Sequence, residues 1–136
     1  MITGFEEQTH ELDEKELRLL PFVLQVLKER KGSEAAINNA EIAKRTLTLF
    51  CEAFPEEKIK LDAPRLRKIV HHIRCSEELP LLCANSKGYY IAETREEAAR
   101  FLESLRQRKS SLEELLAHLS IQFTRKYTPT QTSLDL

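Results

Sequence analysis

The chain has 136 residues and a mass of 15.8 kDa, which suits one ordinary domain rather than two independent cores. Apolar residues make up 41% and charged residues 32%, while 3 glycines and 5 prolines are too few for a turn-rich β-sandwich, so a mainly helical fold is expected. We expect neither a membrane span nor a signal peptide. Cys51, Cys75 and Cys83 are widely spaced and form no CxxC pair, which predicts free thiols in the cytoplasm.

The net charge of −1 conceals an uneven distribution along the sequence. Residues 58–91, here called the basic segment, contain seven basic and three acidic residues, a net charge of +4, and the remainder carries −5. A basic segment in an otherwise acidic protein indicates one face suited to an anion. The alternative is a solvated cluster of charges without a ligand.

Four helices are predicted in chain order. Asp13 caps the first, which ends near Gly32 and is bent or restarted by Pro21. The second begins after Asn38 or Asn39 and runs through Phe54. The apolar stripe of the first helix comprises Leu17, Leu20, Val23, Leu24 and Leu27, and it is widened by Leu19, Phe22 and Val26.

A very short strand is predicted at residues 58–61, where polar and apolar side chains alternate. Asp62 then caps the third helix, with Pro64 in its first turn, where a missing N–H costs nothing. Its buried stripe is predicted to be Leu66, Ile69, Val70 and Ile73.

A β-hairpin follows, with strands at residues 81–84 and 89–92 around a turn at residues 85–88. Thr94 caps the last helix and Glu97 completes a capping box. We expect this helix to continue through Ser110 and Ser111, because neither glycine nor proline interrupts it.

With these elements in order, residues 61–92 resemble the third helix and wing of small winged helix-turn-helix proteins common in phage, prophage and mobile-element contexts. There, a capped helix of the form LRxxIxxIR leads to a proline, and a strand, a polar turn and a G-Y-Y/x-I-A strand follow. In this sequence the pattern is carried by Leu66, Arg67, Val70, Ile73, Arg74, Pro80 and residues 85–92.

The resemblance implies a mainly α fold with a small β-hairpin, a winged helix-turn-helix with a long C-terminal helix. The expected organisation is a flexible leader (1–11), a winged helix domain (12–93), a C-terminal helical extension for packing or dimerisation (94–126) and a frayed tail (127–136). The implied function is non-enzymatic binding of double-stranded DNA, in transcriptional regulation or replication of a phage or mobile element. The alternative is a winged-helix protein-interaction module that does not bind DNA.

Helical geometry at about 100° per residue directs Lys68, His71 and Cys75 outward on the third helix. Lys68 and His71 are expected to contact bases in the major groove, whereas the residues at the helix ends and wing tip hold phosphates. The predicted DNA-binding residues are Arg65, Arg67, Lys68, His71, His72, Arg74, Ser86, Lys87 and Tyr89.

No phosphate loop, dinucleotide fingerprint or hydrolase motif is present in the sequence, so we expect neither enzymatic activity nor a cofactor. His71 or His72 could share a helix face with Cys75 as metal ligands. A structural zinc ion takes four ligands, and no motif supplies the others, so no metal is expected.

The last helix repeats apolar residues at seven-residue spacing, with an interruption at Arg108 and Lys109. This stripe, like that of the first helix, is wider than one partner needs, which predicts a homodimer through the two helices. The predicted dimerisation residues are Leu105, Leu112, Leu116 and Leu119.

Overall fold

The computed structural model describes residues 11–128. It is mainly helical, with a small two-stranded antiparallel sheet. The helices are α1 (Glu14–Leu27), α2 (Asn39–Ala53), α3 (Ala63–Ser76) and α4 (Arg95–Tyr127); a 3-10 turn (Ser33–Ala35) follows α1, and strands β1 (Leu82–Asn85) and β2 (Gly88–Ile91) separate α3 from α4.

The chain forms two compact units with a boundary between Ala98 and Ala99, inside α4. The predicted leader and tail lie outside the described residues, apart from residues 11, 127 and 128. Within residues 11–128, no helix has the length and apolar character required to cross a membrane.

The predicted helix starts are confirmed by side-chain caps. Asp13 accepts a hydrogen bond from Glu16 N (2.8 Å) and Asn38 accepts one from Glu41 N (2.8 Å). Asp62 caps α3 in the same way through the N–H of Arg65 (3.0 Å). These bonds satisfy N–H groups that a helix start leaves without partners, so the boundaries are encoded locally.

The core of the first unit is made by α1, α2, α3 and the hairpin. The predicted stripe of α3 is confirmed, since Leu66, Ile69, Val70 and Ile73 are all at most 1% exposed. The buried apolar cluster comprises Leu19, Val23, Val26, Leu27, Ile37, Ile42, Phe50, Leu61, Leu66, Ile69, Val70, Ile73 and Leu82.

The stripe predicted for α1 is wrong at its first turn. Leu17 is 53% exposed, whereas the preceding Glu16 is buried. The buried carboxylate serves the cap and two cations of α3, described below, and this moves the inward face by one residue. Pro21 is exposed and α1 is a single helix through it.

The hairpin is confirmed, with Cys83 paired to Tyr90 and Asn85 to Gly88. The strand predicted at residues 58–61 is wrong, because these residues pair with no strand. Instead the segment after α1 pairs with β2. Ile37 and Tyr89 exchange both backbone hydrogen bonds (2.9 and 3.0 Å), so the third pairing partner of the sheet comes from between α1 and α2.

Helix α4 spans 33 residues and continues through Ser110 and Ser111, as predicted. The Thr94 cap is confirmed, because its hydroxyl accepts the N–H of Glu97 (3.1 Å). The Glu97 carboxylate departs from the predicted capping box, since it accepts N–H groups of Glu93 and Ser33 (both 2.8 Å).

Candidate nucleic-acid interface

The basic segment contains α3 and the hairpin. The candidate anion-binding surface is therefore the outer side of α3 together with the tip of the hairpin. Because the apolar stripe of α3 is fully buried, its opposite face is solvent-exposed. Arg67 and His71 lie on that face, and both are exposed. They are the predicted base- and phosphate-contacting residues of α3 that the fold leaves at the surface.

Lys68 is less accessible than predicted. Its side chain is 24% exposed, and its Nζ lies 2.9 Å from Oε1 of Glu16 on α1. The Arg65 Nε lies 3.5 Å from the same carboxylate and its terminal nitrogen 3.8 Å from Asp13. Both cations therefore lie on the edge of α3 that faces α1, where their charge is compensated by acidic residues from outside the basic segment.

Glu16 is the organising residue of this edge, and the sequence pattern did not reveal it. Its side chain is 5% exposed and accepts the N–H of Asp13 (2.9 Å) in addition to the contact with Lys68. A buried carboxylate needs paired cations and hydrogen bonds to offset its desolvation. The only sequence signal was its position three residues after a capping aspartate.

Arg74 links α3 to the hairpin through a hydrogen bond and a contact with an aromatic ring. Its Nε donates to the carbonyl oxygen of Leu82 (2.9 Å), and its guanidinium lies 5.2 Å from the centre of the Tyr89 ring. Tyr89 is half-buried and Tyr90 buried, as expected for adjacent strand residues on opposite faces. Arg74 and Tyr89 thus have a structural role here, and their contact with DNA stays a prediction.

The hairpin tip is a two-residue turn, Ser86–Lys87, and both residues are exposed. The Asn85 side chain holds it by accepting the N–H groups of Lys87 (2.8 Å) and Gly88 (3.1 Å). Gly88 has a φ of 136°, and a Cβ there would lie 2.0 Å from the carbonyl oxygen of Ile37. Lys87 is therefore presented on a short turn that is fixed at its base.

Two basic residues outside the basic segment lie beside this tip. Arg30 and Arg45 line one shallow polar depression with Lys87 and the first turn of α2. Arg45 forms an ion pair with Glu41 (2.7 Å), and the Arg45 guanidinium lowers the pKa of that carboxyl below its usual range. The sequence alone did not show this grouping, because it depends on the pairing of Lys31 and Ile37 with β2, which brings distant segments together.

The two histidines of α3 differ in surroundings. His71 Nε2 lies 3.6 Å from the Cys75 sulfur, whereas His72 Nε2 lies 3.8 Å from a carboxylate oxygen of Glu78. Among residues 11–128 no three His, Cys, Asp or Glu side chains are grouped so that they could hold a metal ion.

Comparisons with known proteins found no matching family model, no matching curated protein and no matching solved structure.

Proposed function

We propose that this chain is a winged helix-turn-helix protein that binds double-stranded DNA, with α3 in the major groove and the hairpin tip on the backbone. The supporting topology is α1, a segment paired to β2, α2, α3 and a hairpin. The observation that carries the proposal is the exposure of Arg67 and His71 on α3 together with Lys87 on a rigid two-residue wing.

The chemistry of these residues suits a duplex. An exposed arginine on a helix can contact a guanine edge with two hydrogen bonds or bind a phosphate. A lysine on a fixed turn positions the protein through the backbone without reading sequence. The Arg30 side chain, in the depression beside Lys87, adds a further cation for the same backbone.

A non-enzymatic role in the cytoplasm, in transcription or replication of a phage or mobile element, belongs to the same proposal. It is supported by the resemblance of residues 61–92, while the three unbridged cysteines favour a reducing compartment. Selection of the DNA sequences that the protein binds from a random pool would separate these two roles. The binding sites of a transcriptional regulator and of a replication factor lie at different positions in a phage or mobile-element genome.

The direct test is a titration of fluorescent duplex DNA at several salt concentrations. We expect affinity to fall with salt, and Lys87→Ala to weaken all sequences alike and lower the salt slope by roughly one unit. Arg67→Ala should weaken binding and relax preference at one or two base pairs. Lys15→Ala is the matched control, since Lys15 is exposed on the first turn of α1. Binding that ignores salt, or an equal loss in the Lys15→Ala protein, would contradict the proposal.

A second candidate function, a protein-interaction module, is favoured by the internal pairing of Arg65, Lys68 and Arg74. These contacts reduce the free positive charge on α3. Retention on heparin that weakens with salt would support nucleic acid as the ligand. Capture of one protein partner, together with failure to bind heparin, would support the module.

A further inference from the structure

The C-terminal unit exposes an apolar seam along α4. Five leucines occur at alternating spacings of three and four residues, interrupted once, by Lys109. Each is between 39% and 66% exposed. These residues, here called the α4 seam, are Leu102, Leu105, Leu112, Leu116 and Leu119.

This spacing is the a and d pattern of a coiled coil. Residues 102–119 extend for about 27 Å at 1.5 Å per residue. The seam contains a shallow groove between Leu105 and Leu116, lined also by Arg108, Lys109 and Glu113. An apolar seam of this length matches a facing helix with the same pattern, because each leucine then has a hole to fill.

The α1 stripe does not extend this surface. Leu19, Val23, Val26 and Leu27 are buried in the core of the first unit. The proposed self-association therefore uses the apolar face of α4, and the first-helix part of the dimer stays a prediction.

We infer that the α4 seam binds a second copy of this chain as an antiparallel coiled coil whose two-fold axis passes between Ser110 and Ser111. In this register every seam leucine except Leu112 meets a seam leucine of the second copy, since the repeat is symmetric about that point. The facing pairs are Leu102 with Leu119, Leu105 with Leu116, and Lys109 with Leu112.

Charge selects this direction over the parallel one. In a parallel pair Arg108 would reach Glu113 of the second copy, yet Lys109 would face Lys109 of the second copy within the seam itself, where like charges meet in a largely apolar surrounding. In the antiparallel pair Lys109 packs beside Leu112 and Glu113 of the second copy. Arg106 then flanks Glu113 of the second copy, and this ion pair occurs twice because of the symmetry.

The first experiment measures the oligomeric state of the full chain by sedimentation across a range of concentrations. We expect a dimer, and Leu116→Asp should raise its Kd about 100-fold or more, because Leu116 faces Leu105 of the second copy and each of the two aspartates would meet a leucine there. The matched control is Ile121→Asp on the same helix; Ile121 is 50% exposed and lies off the seam. A monomeric parent protein, or equal effects of the two substitutions, would overturn the inference.

The second experiment tests direction with charge reversals. Arg106→Glu should raise the dimer Kd roughly tenfold by converting two attractive pairs into repulsive ones, and combination with Glu113→Arg should restore it. Arg108→Glu should have little effect, because Arg108 faces Leu115 of the second copy. The opposite result would be a dimer Kd that rises with Arg108→Glu, is restored by adding Glu113→Arg and does not respond to Arg106→Glu. That result would mean a parallel dimer and would refute the assigned register.

Discussion

Replacing Lys68 with alanine separates two roles of this residue, the DNA contact that the sequence predicts and the ion pair with Glu16 that the structure shows. The helical pattern places Lys68 outward as a base-contacting residue, so its loss would change DNA preference and leave stability unaltered. In the structure its Nζ lies 2.9 Å from the buried carboxylate of Glu16. We therefore expect the main effect of Lys68→Ala to be on the free energy of unfolding.

The size of this loss of stability depends on which contacts the Glu16 carboxylate retains in the Lys68→Ala protein. After the substitution its carboxylate retains the N–H of Asp13 and the more distant Arg65, 3.5 Å away. Removing one partner of a buried ion pair costs about 3–5 kcal/mol when nothing replaces it, and a hydrogen bond to a charged group is worth about 1.5–3 kcal/mol. Because Arg65 remains, a loss of about 1.5–3 kcal/mol is expected, equivalent to a urea midpoint roughly 1 M lower.

Urea unfolding followed by circular dichroism measures this loss. Arg67→Ala is the matched control, because Arg67 is the exposed neighbour on the same helix and should change stability by no more than about 0.5 kcal/mol. DNA affinity is then measured where all proteins are folded, and Arg67→Ala should be the weaker binder. A Lys68→Ala protein as stable as the parent would refute this reasoning, as would unfolding caused by Arg67→Ala.

Three further outcomes are expected. Ile69→Ala should cost about 2–5 kcal/mol in urea unfolding, because the side chain is fully buried and leaves a cavity. Backbone N–H groups lower the pKa of the Glu97 carboxyl. The ionised carboxylate therefore stabilises the fold above the unfolded carboxyl pKa of about 4.3, and this stability is lost as the pH falls. The urea midpoint of the Glu97→Gln protein should accordingly decline less on acidification than that of the parent protein. In native protein, Cys51 and Cys75 should react with an alkylating reagent before Cys83 does, because burial raises the pKa of the Cys83 thiol and shields it, and mass spectrometry of digests checks the order.

The helices could be predicted because their signals are local. Asp62 with Pro64 marks the start of α3, and the spacing of Leu66 and Ile69 sets its inward face, so a few neighbouring residues suffice. The sheet depends on a non-local choice. Residues 58–61 alternate as a strand does, yet the segment that pairs with β2 through Ile37 has no alternating pattern. Strand pairing is decided by which segments the helices bring together.

The same distinction explains Glu16. Within the sequence of α1 it is one of several acidic residues and is expected to be solvated, as glutamates usually are. Its burial depends on Lys68 and Arg65, about fifty residues later, arriving at the same edge. No periodicity in one helix reports the charges on another, so a helical-wheel argument assigned Lys68 to the wrong edge of α3.

Charge on a surface is therefore a property of the fold and not of a segment. Arg65 and Lys68 lose much of their effect to acidic residues outside the basic segment, while Arg30, also outside it, lines the same depression as Lys87 at the hairpin tip. If Arg67, Lys87 and Arg30 each displace one counterion, one copy should show a salt slope of about −3, at roughly −0.9 per phosphate. Two copies joined through α4 on a palindromic duplex would double that slope and gain affinity from their linkage. The Leu116→Asp protein should accordingly keep the slope of one copy, which connects the coiled coil to DNA binding in one measurement.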